Sequence, residues 1–240
     1  VANIRANISS VQQPIVAVGD PHGNWRPLLE CCAQVQPSAV IIVGDCELNR
    51  PLRQELATLV DAGVTLAYVP GNHDADRREW WDNLVGDHPG GNLHGRAMDL
   101  GGLRVAGLGG VYAERVYWPK AEEDPAPTYR DRQSWIRANR RNLASGEIPL
   151  KYRATIFPED HAAVAAAGKK GAVDVLVTHE APLTHRYGFA GIGLAARACR
   201  ARLVVHGHHH EGYEGELAGP GGCRVKGLGL AEPWVVEVPG

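Results

Sequence analysis

Ile15-Val16-Ala17-Val18-Gly19-Asp20-Pro21-His22-Gly23-Asn24 joins two kinds of sequence. The four apolar residues are too few for a helix and, rich in β-branching, read as a strand buried on both faces. A glycine, an acid and a histidine follow where such a strand would stop. The pattern recurs along the chain. The run 40–43 leads into Gly44-Asp45, and 64–69 into Pro70-Gly71-Asn72-His73-Asp74. The run 173–177 leads into Thr178-His179-Glu180, and 203–205 into His206-Gly207-His208-His209-His210. Helical stretches are expected over 25–36, 51–62, 129–144, 159–167 and 193–200. Strands alternating with helices predict an α/β layered fold. Runs at 103–107, 223–227 and 234–238 are expected as further, antiparallel strands. The polar segment 111–158 carries Pro119, Pro125, Pro127, Pro149 and Pro158, breaks the alternation and reads as an insertion.

Ligands collect beyond the C-terminal ends of strands in open α/β sheets, where loops from distant sequence meet. Glycine lets the backbone there turn sharply and approach an ion. Carboxylates and imidazoles without cysteine suit first-row ions such as Mn, Fe or Zn. One aspartate can bridge two ions, and two ions roughly 3.5–4 Å apart can hold a hydroxide and clamp a phosphoryl oxygen. A protonated histidine beside them can give its proton to a departing alkoxide.

The series Asp20-x-His22, Gly44-Asp45, Gly71-Asn72-His73-Asp74, His179 and Gly207-His208-x-His210 resembles the calcineurin-like metallophosphoesterases, block by block and in order. The resemblance implies a four-layer α-β-β-α sandwich. It implies one divalent or trivalent metal ion on Asp20, His22 and His210, a second on Asn72, His179 and His208, and Asp45 bridging both. His73 would stand by the phosphate as general acid or transition-state stabiliser. Since one site draws on residues 20 to 210, the chain is expected to be a single domain over 1–240, with 111–158 as a lid-like insertion. The second block reads Gly44-Asp45-Cys46-Glu47-Leu48-Asn49-Arg50, where the protein Ser/Thr phosphatases have Gly-Asp-x-Val-Asp-Arg-Gly. Pro70 also stands where that branch has arginine, which sets this chain apart from it.

Other polar residues are read as support. Asp74 and Glu180 are expected behind the ligands, and alternation along the chain turns His206 and His209 away from 208 and 210. His88, His94 and His161 read as structural, while His185 is a candidate substrate contact. Stretches 191–196 and 107–110 have dinucleotide-like glycines but lack the strand-turn-helix context, and read as turns. In the helix of the insertion, Arg130, Arg137 and Arg141 share one face. They either reach the phosphate or cover a solvated surface pinned by Trp135.

With 25 basic and 27 acidic side chains, net charge is −2, which argues against nucleic acid and against an anionic membrane surface. No apolar run approaches the ~18 residues of a membrane span, and 1–13 lacks the apolar core of a signal peptide. Five cysteines without framework spacing read as reduced thiols of a cytoplasmic protein. The expected activity is hydrolysis of a phosphate ester, most simply a monoester. A phosphodiesterase or nuclease is the alternative, and a metal-free interaction scaffold a second one, which the intact ligand series opposes. Oligomeric state leaves no signal in the sequence.

Overall fold

Along β1 (Ile15–Val18), Ile15 and Ala17 enter one apolar cluster and Val16 and Val18 another. A strand covered on both faces needs apolar residues at every position, which explains the unbroken run. The computed structural model describes residues 13–239 apart from 122, 124–125, 144–145 and 220–221. The N-terminal stretch up to residue 12, Pro125 and Ala144 therefore lie outside the described residues.

The strands β1, β2 (Ala39–Ile42) and β3 (Thr65–Tyr68) run parallel, and β10 (Pro233–Val235) pairs antiparallel with β1, giving the order β10-β1-β2-β3. The outer face of this sheet is covered by α1 (Arg26–Val35), α2 (Leu52–Glu55) and α3 (Ala57–Asp61), through Leu28, Leu52, Leu56 and Leu59. A second sheet has the order β4-β5-β6-β7-β9-β8. Its strands are β4 (Ala97–Leu100), β5 (Leu103–Leu108), β6 (Val175–Thr178), β7 (Leu203–His206), β8 (Tyr213–Leu217) and β9 (Cys223–Gly227). Outside it, Val164 of α7 (Pro158–Lys169) and Ile192, Ala195 and Cys199 of α8 (Ala190–Cys199) meet Leu176 and Val204. Between the sheets, Ile41, Val69, Val105, Val177 and Val205 form the central cluster. The result is the four-layer α-β-β-α sandwich. Each fully buried aliphatic contributes about 1.5–3 kcal/mol, so the central layer and the two outer layers all hold the sandwich together.

Several details differ from the sequence expectations. Residues 103–107 and 223–227 are not antiparallel additions, since β5 pairs parallel with β6 and β9 parallel with β7. The antiparallel strands are β4, β8 and β10, each at a sheet edge. The helix expected over 51–62 breaks at Leu56, where φ −107° and ψ 32° leave the helical region. Residues 191–196 are not a turn but the start of α8, and Gly191 lets Tyr112 and Pro119 approach where a Cβ would clash. A short helix, α4 (Arg78–Trp81), follows the third block.

Within 111–158, α5 (Arg132–Asn139) begins where Asp131 caps it, its side chain accepting from Ser134 N–H at 2.6 Å. The segment has its own apolar cluster of Val116, Trp135 and Phe157. The short α6 (Leu150–Arg153) packs near residues 73–75. Arg137 and Arg141 are exposed. Arg132, off their face, turns inward and donates to both oxygens of Asp160, at 2.7 and 2.9 Å. Burial opposes charge on Asp160, yet His94 and Arg132 outweigh it and hold the carboxyl well below the usual range. A depressed folded pKa gives stability that is present above the unfolded value of about 3.9 and lost as pH falls below it. Asp160→Asn should therefore cost about 3 kcal/mol at pH 7, at the lower end for a broken buried pair because Arg132 is partly exposed. Urea unfolding should show the gap closing as pH drops below about 4. Equal stability at pH 7 would mean that the pair contributes nothing.

Candidate metal centre

Five parallel strands, three from one sheet and two from the other, deliver their C-terminal loops to one edge of the sandwich. β1 brings Asp20 and His22, β2 brings Asp45, and β3 brings Asn72 and His73. β6 brings His179, and β7 brings His208 and His210. The loops are tied together by the backbone and by carboxylates. His22 N–H donates to the Asp45 carbonyl at 2.9 Å and Gly23 N–H to that of Cys46 at 3.0 Å. Asp74, fully buried, accepts from Cys46 N–H and Gly71 N–H, both at 2.8 Å, and so clamps the second loop to the third. Asp20 accepts from His208 N–H at 2.9 Å, linking the two sheets.

Close approach decides two glycines here. A Cβ on Gly71 would collide with Asp45 Oδ1, and one on Gly207 with Asp20 Oδ2. Five of the seven ligand candidates take left-handed backbone: Asp20 (φ 39°), His22 (42°), Asp45 (50°), His208 (72°) and His210 (56°). Such residues cost on the order of 1–3 kcal/mol each and persist only where the surroundings over-determine them.

Donor atoms of Asp20, His22 and His210 lie within 4.8 Å of one another, as do those of Asp45, His179 and His208. Asn72 Oδ1 is 3.0 Å from His179 Nε2, which places it with the second group. Asp45 Oδ2 lies 3.3 Å from His179 Nε2 and 3.9 Å from His22 Nε2, so one oxygen faces both groups. All seven residues converge.

The electrostatics fit a cationic guest. Asp20 Oδ1 is buried without a hydrogen bond, since His179 Nδ1, 3.5 Å away, already donates to the Val43 carbonyl. Burial pushes the Asp20 carboxyl up to about 7. Burial also works against a charged His179, but Asp45 and Asp20 overcome it and raise the imidazole to about 10. Two buried carboxylates thus draw a proton onto the ring between them. His208, desolvated and beside His179, is pushed down to about 4 and offers a neutral donor. A buried carboxylate oxygen lacking a partner, set among imidazoles and a second carboxylate, is a donor set suited to first-row metal ions.

His73 belongs to neither ligand group but borders them, with its backbone N–H donating to Asp45 Oδ1 at 2.8 Å, its ring 5.5 Å from that of His22 and its side chain half-exposed. Its Nδ1 meets Asp76 Oδ2 at 2.7 Å. Burial lowers its pKa, but Asp45 and Asp76 outweigh that and raise it. Asp76 was not singled out from the sequence, although its i,i+3 spacing within a helical turn is the signal that would have found it. Glu47 was also missed, and its contact with His22 has no such signal. His209 stacks on the buried His185 at 4.2 Å, and its donor atom groups with those of Glu180 and His208. His206 is buried and bonds Tyr213.

A profile of the calcineurin-like phosphoesterase family matches residues 13–212. An uncharacterised protein of Haemophilus influenzae (strain ATCC 51907 / DSM 11121 / KW20 / Rd) is 32% identical over 201 residues, 83% of this chain and 84% of its own. Among solved structures, the phosphopantetheinyl hydrolase of Mycobacterium tuberculosis superposes with a TM-score of 0.51 at 17% identity, covering 96% of this chain and 100% of its own. A dimetal phosphatase from Danio rerio superposes with a TM-score of 0.51 at 14% identity, over 92% of this chain and 88% of its own. At these identities both structures speak to the fold.

Proposed function

Because the chain belongs to the calcineurin-like phosphoesterase family, and so to the metal-dependent phosphoester hydrolases, we propose that it is a dinuclear phosphomonoesterase. The observation that carries this reading is Asp45 Oδ2 facing both ligand groups beside the unpartnered Asp20 Oδ1. Asp20, His22 and His210 would hold one ion, Asn72, His179 and His208 the other, with Asp45 shared. Two ions of Mn, Fe or Zn bound there would supply positive charge at the phosphoryl oxygens and a water acidified to near-neutral pKa. The chain's own part is to fix that geometry and to handle the leaving group. Asp76 accepts the Nδ1 proton of His73 and so orients the ring, leaving Nε2 to deliver a proton to the departing oxygen.

A small monoester is favoured over a nucleic acid by the net charge of −2, which lacks the basic excess usual in nucleic-acid binders. Five free cysteines, three of them buried, support a cytoplasmic location. Among the described residues, no helix is long and apolar enough to cross a membrane. Protein stripped with a chelator, reloaded with Mn²⁺ and presented with nitrophenyl phosphate and bis-nitrophenyl phosphate should bind two ions and hydrolyse the monoester faster. Faster cleavage of the diester would replace the monoesterase reading with a phosphodiesterase.

A further inference from the structure

Two imidazoles of the centre have their outer nitrogen engaged, by different chemistry. His179 Nδ1 donates to the main-chain carbonyl of Val43 at 2.8 Å, whereas His22 Nδ1 meets Glu47 Oε1 at 2.7 Å. A carboxylate only accepts, so His22 Nδ1 carries the proton. Its Nε2 keeps the lone pair, 3.2 Å from His210 Nε2 and 3.9 Å from Asp45 Oδ2. The loops leave this contact little freedom. The backbone bonds from His22 to Asp45 and from Gly23 to Cys46 set them in register. Asp74 anchors Cys46 directly before Glu47. Left-handed backbone at both ends, φ 42° at His22 and 51° at Glu47, completes the geometry. The two side chains are only 20% and 26% exposed, which limits competition from water.

We infer that Glu47 is a positioning residue for the ion held by Asp20, His22 and His210. It fixes His22 as the Nδ1–H tautomer and, through its charge, strengthens Nε2 as a donor. The inference rests on the dinuclear reading above. Carboxylates behind histidine ligands raise ligand basicity, and losing such a partner costs about 10–100-fold in metal affinity. His179 leans on a main-chain carbonyl that no side-chain substitution removes, so the effect falls on one ion of the two.

Calorimetric titration of the metal-free protein with Mn²⁺ tests this. Wild type should show two sites, and Glu47→Ala should weaken one by about 10–100-fold while sparing the other. Glu47→Gln, whose amide oxygen can still accept from Nδ1–H, should fall between them. Nitrogen NMR of the metal-free proteins reads the tautomer directly. His22 should carry its proton on Nδ1 in wild type and Glu47→Gln, and shift towards Nε2–H in Glu47→Ala. Two wild-type-like sites in Glu47→Ala, equal weakening of both, or an unchanged His22 tautomer would overturn the inference. Uptake of fewer than two ions by wild type would instead overturn the dinuclear reading, and the NMR comparison would still decide what Glu47 does.

Discussion

Asp45→Asn is expected to give a folded protein that holds less than its full complement of metal and turns over poorly. The substitution is nearly isosteric, and the new amide oxygen can still accept from His73 N–H, so the loop should survive. The position of Oδ2, which faces His179 and His22, is what changes. An amide nitrogen there would direct hydrogens at the space where an oxygen lone pair pointed. Loss of an outer partner alone costs about 10–100-fold in metal affinity, so loss of a shared charged ligand should cost at least that, on both ions. Metal analysis after gel filtration, with a melting curve to confirm folding, measures it. Near-normal turnover with both ions bound would remove Asp45 from its bridging role.

His73→Ala separates chemistry from binding. His73 hydrogen-bonds a ligand residue only through its backbone N–H, and its half-exposed ring touches that of His22 edge-on without joining either ligand group, so the metal content should stay at the wild-type level. Turnover should fall by about 10²–10⁴-fold, the usual worth of general acid catalysis. The deficit should be greatest for alkyl phosphates, whose leaving oxygen needs the proton, and should shrink for nitrophenyl phosphate. A uniform deficit across leaving groups would assign His73 to stabilising charge on the phosphate instead.

What the sequence made legible follows from burial. Strands β1, β2 and β6 are covered on both sides, so they appear as unbroken β-branched runs, and the Gly-Asp or Thr-His that ends each marks the sheet edge. The seven residues that the family resemblance assigns as ligands do meet in space. The edge strands β4 and β8 were not legible. Met98 and Asp99, or Glu214 and Glu216, are partly or fully exposed, and a polar stretch on one side of a sheet resembles a loop. Pairing direction was equally hidden, because β5 and β9 are set parallel by neighbours remote in sequence. The inward turn of Arg132, opposite to the face shared by Arg137 and Arg141, depends on Asp160, a residue of α7 remote in sequence.

The left-handed backbone at Asp20, His22, Asp45, His208 and His210 also has an evolutionary consequence. Glycine or asparagine would occupy those positions more comfortably, so the fold is less stable there than this architecture permits. Selection for catalysis has to hold five uncomfortable residues in place against a steady mutational pull. A descendant of this chain relieved of its chemistry would drift towards glycine and asparagine at those five sites and gain stability as it did.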